Sequence, residues 1–111
     1  MTGNPYDPDM GRGVTALRCV ADFVGSRPGL APFTAVDVVW SHVDLTWCVK
    51  VMVQDATAAE MDAWAHAIDD AVTTSTEGSS RYVGAYSRID VVGTVHGLPV
   101  TVWTTRDGDS R

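Results

Sequence analysis

The sequence predicts an α+β domain: a four-stranded, mostly antiparallel sheet with two helices on one face, in the order α-β-β-α-β-β. Three observations carry that prediction. Residues 45–53 alternate without a break: Leu45, Trp47, Val49, Val51 and Val53 point one way, and Thr46, Cys48, Lys50 and Met52 the other. That is the pattern of a half-buried strand. Two segments space their apolar residues at the three- and four-residue steps of one-sided helices. A run of β-branched residues around His96-Gly97 pairs with itself as a hairpin.

Taken in order, residues 1–11 are rich in Gly, Pro, Asp and Asn without periodicity and read as a flexible arm, with Tyr6 a surface aromatic. A single domain over residues 12–105 follows, and residues 106–111 form a polar tail. The first helix runs from Gly11 or Arg12 to Gly25. Val14, Leu17, Ala21 and Val24 make its apolar stripe, and Ala16, Val20 and Phe23 widen it. Gly25 stands where a left-handed cap belongs, and Pro28 stops continuation. Residues 34–41 form a strand with Val36, Val38 and Trp40 on one side. A turn at 41–44 joins it to the central strand, unless the two form one long strand with a bulge near His42.

The second helix opens on a capping box, Thr57 to Glu60. Its stripe is Met61, Trp64, Ala65, Ile68, Ala71 and Val72. The polar run 73–80 reads as a loop. In the last hairpin Val95 pairs with Leu98, Gly93 with Val100, Val91 with Val102 and Ile89 with Thr104, all on one face. The core anchors expected from these patterns are Leu17, Phe23, Trp47, Val49, Val51, Trp64, Ile68, Val91 and Val102.

At 111 residues the chain is long enough for a core without disulfides or metal. Eight basic and fourteen acidic residues give a net charge of −6, which opposes nonspecific attraction to nucleic acid or anionic membranes. Cys19 and Cys48 lie far apart and read as reduced thiols. No apolar signal core or run of membrane-spanning length is present, so a cytoplasmic location is expected. One lysine against seven arginines matches the usage of a GC-rich genome.

With both helices on one sheet face, function is expected on the other. Met52, Val92, Thr101 and Trp103 form a candidate interface there, beside Thr46, Cys48 and Lys50. Asp62, His66 and Asp69 or Asp70 share the wet side of the second helix at metal-ligand spacing. Polar residues opposite an apolar stripe are more simply a solvated face, so no metal or cofactor is expected. His42 and His96 sit in turns. Cys48 and His66 could be drawn into nucleophilic catalysis, but no nucleophile or phosphate-loop motif accompanies them. Arg81, Arg88 and Lys50 could form a local basic patch, with Tyr82 and Tyr86 interleaved.

Leu17-Arg18-Cys19-Val20-Ala21-Asp22-Phe23-Val24, followed by Arg27-Pro28-Gly29-Leu30-Ala31-Pro32, resembles an L-R-x-L-A-D-F-L … P-x-L-x-x-P opening. That opening recurs in small uncharacterised α+β proteins of actinobacteria and their phages. The resemblance spans about Val14 to Thr105, and Val20 and Val24 replace its leucines. It implies an origin and a fold, and no activity. The expectation is therefore a non-enzymatic interaction or accessory protein acting through a homodimer or a protein partner. The alternatives are a nucleic-acid-associated regulator or a small enzyme using His66 or Cys48.

Overall fold

A computed structural model of the chain describes residues 9–81 and 84–107. Its elements are α1 (Met10–Gly25), β1 (Ala35–Ser41), β2 (Thr46–Met52), α2 (Ala58–Ala67), β3 (Asp69–Ser80), β4 (Gly84–Val95) and β5 (Leu98–Asp107). The strands form one mixed sheet in the order β1-β2-β5-β4-β3. The α+β class holds, but the sheet has five strands instead of four, and β2 lies parallel to β5. That parallel pair is a consequence of connectivity. Through α2 the chain passes from the end of β2 to the far edge of the sheet, where β3 starts in the direction of β2. Two antiparallel steps, β3 to β4 to β5, then return it in the same sense beside β2.

The fifth strand arises where a helix end and a loop were expected. α2 stops at Ala67, and Ile68 is already extended (φ −101°, ψ 139°). Ala71 and Val72, expected on the helical stripe, belong to β3, and Val72 is 63% exposed. Residues 72–80 pair one for one with β4, from Val72 opposite Val92 to Ser80 opposite Gly84. β-branched Val72, Thr73, Thr74 and Thr76 suit a strand. On an uncovered edge their polarity imitates a loop.

Both helices cover one face of the sheet. Buried against each other are Val20 and Phe23 of α1, Met61 and Trp64 of α2, and Val49, Val51, Val91, Val95, Val100 and Val102 of the strands. Trp64 lies 6.4 Å from the Phe23 ring, centroid to centroid, and its indole N–H donates to the Ala31 carbonyl at 3.2 Å. Ile68, just past α2, is also buried, and Trp47 is half-buried at the mouth of this core. Its indole N–H donates to the Asp9 carbonyl at 2.9 Å, where α1 begins.

Leu17 departs from its expected role as an anchor. α1 turns Gly13, Ala16, Val20 and Phe23 inward, leaving Leu17 53% and Val14 44% exposed. Gly13 sets this rotation. A Cβ at that position would lie 2.7 Å from the Trp47 ring, so the small side of α1 is the side that approaches the sheet closely. The helix starts at Met10, with the Asp9 carboxylate accepting from Gly11 and Arg12 N–H. At its other end Gly25 is still helical, and Ser26 caps in a right-handed conformation (φ −86°, ψ −2°). No left-handed glycine is used there.

β1 and β2 are separate strands, with Ser41 opposite Thr46. The turn between them places Leu45 at φ 52°, outside the strand and exposed. The final hairpin has the pairing expected, from Ile89 opposite Thr104 to Val95 opposite Leu98. His96 (φ 51°) and Gly97 (φ 80°) supply the two positive φ values of a type I′ turn. At the domain margins, Met10 and Gly11 are helical and Arg106 and Asp107 extend β5. Asp9 caps α1, and the remaining arm residues 1–8, the tail residues 108–111, and residues 82–83, with Tyr6 and Tyr82 among them, lie outside the described residues.

Candidate interaction surfaces

The sheet face away from the helices brings together all four residues expected at an interface. Met52 lies beside Trp103, itself opposite Asp90 of β4; in the neighbouring row Lys50, Thr101 and Val92 stand side by side. The geometry around Trp103 is polar. The Arg88 guanidinium stacks over its ring at 4.5 Å and donates to both carboxylate oxygens of Asp90 at 2.9–3.0 Å. This cation–π and ion-pair stack leaves Trp103 half-buried. Val92 remains 48% exposed, but charged Lys50 and Asp37 share the face with it. The surface is mixed: exposed Val72 stands opposite Val92 at its β3 side, and charged residues interrupt the rows between.

A more apolar surface lies where the sequence placed core. Met10, Val14, Leu17 and Ala21 follow one another along the outer side of α1. Met10 is 66% exposed, and Phe33, in the connection to β1, is 43% exposed. Between α1 and the β1 edge runs a cleft of about 450 Å³ lined by Leu17, Val20, Ala21, Val24, Phe33 and Val36. Every one of these side chains is a hydrocarbon.

On its other flank α1 borders a shallow groove of about 510 Å³, to which Arg18, Cys19, Asp22, Arg27 and His96 contribute. The Cys19 thiol lies 3.9 Å from the Val95 carbonyl oxygen. Arg27 is occupied with the Phe23 ring, 4.1 Å away, and with the Ser26 hydroxyl. Sequence reasoning did not join Cys19 to His96, because only the β4–β5 turn brings position 96 beside α1.

The other chemical candidates are scattered. His66 is exposed on α2, its Nδ1 2.8 Å from the Asp62 carbonyl oxygen and 3.5 Å from the Asp62 carboxylate. Cys48 lies on the opposite face of the sheet, its thiol 3.5 Å from the Val39 carbonyl. The full thickness of the sheet separates the two. Asp69 and Asp70 have left α2 for β3, so the helical spacing that related them to His66 is gone. Among the described residues no three His, Cys, Asp or Glu side chains gather as metal ligands. Arg88 is committed to Asp90 and Trp103, while Lys50 sits mid-sheet and Arg81 beyond the end of β3, so the three do not form one patch. No described helix is long and apolar enough to cross a membrane. Comparison with protein-family models, curated proteins and solved structures finds no match to this chain.

Proposed function

We propose that this protein is a small interaction module, binding another protein surface rather than performing chemistry, and that the outer side of α1 is its working surface. The observation that carries the reading is the exposure of Leu17, Val14, Met10 and Phe33 around an all-hydrocarbon cleft. A soluble monomer gains nothing from holding such side chains in water, and contiguous apolar patches of a few hundred Å² mark interaction sites. The open sheet face around Trp103 is the weaker candidate, because Arg88 and Asp90 already occupy its aromatic centre.

Photo-crosslinking from single positions tests the reading. A photoreactive residue at Leu17, irradiated in the cells that make the protein, is expected to give a discrete protein adduct. One at Val72, on the far edge of the open face, is expected to give none. Adducts from Val72 alone, or from neither position, would count against α1.

A further inference from the structure

We propose that the cleft beside α1 and the free edge of β1 together take an extended segment of a partner protein, added to the sheet as a strand beyond β1; this rests on the reading of α1 as the working surface. β1 is the terminal strand of the sheet, and among the described residues no strand pairs with its outer edge. The direction of its backbone groups follows from β2. The Val53 N–H donates to the Trp103 carbonyl on the β5 side, and the Met52 carbonyl accepts from Thr34 N–H on the β1 side. Backbone groups alternate in direction along a strand. Those of Cys48 and Lys50 therefore point to β1, where they meet Val39 and Asp37. The N–H and C=O groups of Val36 and Val38 are left pointing out of the sheet, the template that strand addition uses.

The cleft borders that edge and sets the partner's chemistry. Val36 lies on the helix-covered face, opposite Val51, and lines the cleft with Leu17, Ala21 and Phe33. Side chains of an added strand stand beside those of β1 on the same face. Alternate residues of the segment therefore enter a space of about 450 Å³ walled by hydrocarbon, and these must be apolar. The residues between them face the open side, beside Asp37 and Val39, both exposed. From Phe33 to Leu45 the charged side chains are Asp37 and Asp44, with no lysine or arginine. Lys50 meets Asp37 from the β2 side, so an added strand meets it from the free side. Basic residues at the intervening positions complement this edge and the net charge of −6. A helix laid on α1 would fill the cleft and leave the edge groups unpaired, whereas a strand uses both. The chain's own ends lack the pattern: residues 1–8 hold Gly3, Pro5 and Pro8 without alternation, and 108–111 are polar. A second copy offers β1, whose Val36 and Val38 pack on its own core, or β3, whose exposed side chains are mostly polar.

Fluorescence anisotropy on the full chain is the test, with a short labelled peptide in which valine alternates with lysine and threonine. An isomer with the same residues but the valines in one block is the comparison. The alternating peptide should bind wild type at least about tenfold tighter than the isomer, and less tightly as salt rises. Because the Val38 N–H faces outward, Val38→Pro removes a docking donor without breaking the β1–β2 ladder. It should weaken binding about tenfold, the size of one or two lost hydrogen bonds. Val38→Ala, which trims the side chain but keeps the N–H, should stay within about threefold of wild type. Should Val38→Pro unfold, amide exchange of wild type replaces it: the peptide should slow exchange at Val36 and Val38 and leave Thr73 and Ser75 of β3 unchanged. No preference for the alternating peptide, undiminished binding by a folded Val38→Pro, or protection at β3 instead overturns the inference. So does an edge already protected in the free protein, by the chain's own ends or, if protection grows with protein concentration, by a second copy. After any of these, a protein adduct from Leu17 still leaves the reading of α1 standing, whereas absence of that adduct removes the reading itself.

Discussion

Glu60 accepts a hydrogen bond from the Thr57 backbone N–H at 2.9 Å, and its own N–H donates to the Thr57 hydroxyl at 3.1 Å. The Thr57 N–H is the main reason its carboxyl sits below the usual glutamate range; the Thr57 side chain and nearby Arg106 add to the effect. A carboxyl with a depressed folded-state pKa stabilises the fold at pH above its unfolded value. That contribution is lost as pH falls through the folded value. Glu60→Ala should therefore lower the melting temperature at neutral pH, and the deficit should shrink towards about pH 3, below the ordinary glutamate range. Thr57→Ala should cost about 1 kcal/mol in denaturant unfolding at neutral pH. Gly93 is a harsher position. A Cβ there would stand 2.5 Å from the Asp69 carbonyl oxygen and from the Ile68 side chain, where the chain leaves α2 for β3. Gly93→Ala should lower stability by about 1–3 kcal/mol, the usual range for overpacking, although alanine carries no other burden in a strand.

At the scale of elements, α1 and β3 separate what the sequence disclosed from what it did not. Leu17→Asp should leave the unfolding midpoint nearly unchanged, whereas Val20→Asp, three residues on, should abolish cooperative unfolding by burying an unpaired charge. The reverse result would restore the stripe centred on Leu17. The apolar periodicity of α1 fixed the helix but not its rotation, because both of its stripes follow three- and four-residue steps. The deciding fact was the fit of Gly13 over Trp47, a long-range contact that no local pattern encodes. β3 was hidden for a different reason. Its register comes from β4, and an edge strand with both faces wet shows no alternation. Alternation along β4 from the Val95–Leu98 turn directs the Asp90 backbone groups towards β3, opposite Thr74. Thr74→Pro should thus lose a ladder hydrogen bond and at least about 1 kcal/mol, where a loop would tolerate it. The final hairpin was legible to the residue, because turn chemistry and both strand faces agreed. That Met52, Thr101, Val92 and Trp103 share the open face was legible from strand parity, but the contact of Met52 with Trp103 was not, because it depends on β2 lying beside β5. Nor was the neutralisation of Trp103 by Arg88 and Asp90, because it depends on how two side chains fold over a third.

The whole molecule is longer than its mass requires: 55 × 34 × 22 Å, with a radius of gyration of 15.6 Å against about 13 Å for a compact domain of this length. β3 and β4 account for the excess. Each is twelve residues, about 40 Å of strand. The buried core reaches along β4 only from Val95 to Val91, and Ile89 packs at its border. Beyond that point Ser75 and Glu77 of β3 are exposed and Ser87 is half-buried, with none of them in the core. Stability should be divided accordingly, since amides are protected by the apolar burial that must be undone to expose them. Hydrogen exchange is expected to be slowest at Val49, Val51, Val91 and Val102, which would report global unfolding, and to accelerate along β3 and β4 away from Gly93. Amides of Ser75 through Ser79 should exchange by local opening, with little dependence on dilute denaturant, while those of β2 and β5 show the full dependence. Uniform protection along β3 would mean that something covers this arm in solution, and the interaction surface would then have to be sought at the β3 edge instead of on α1.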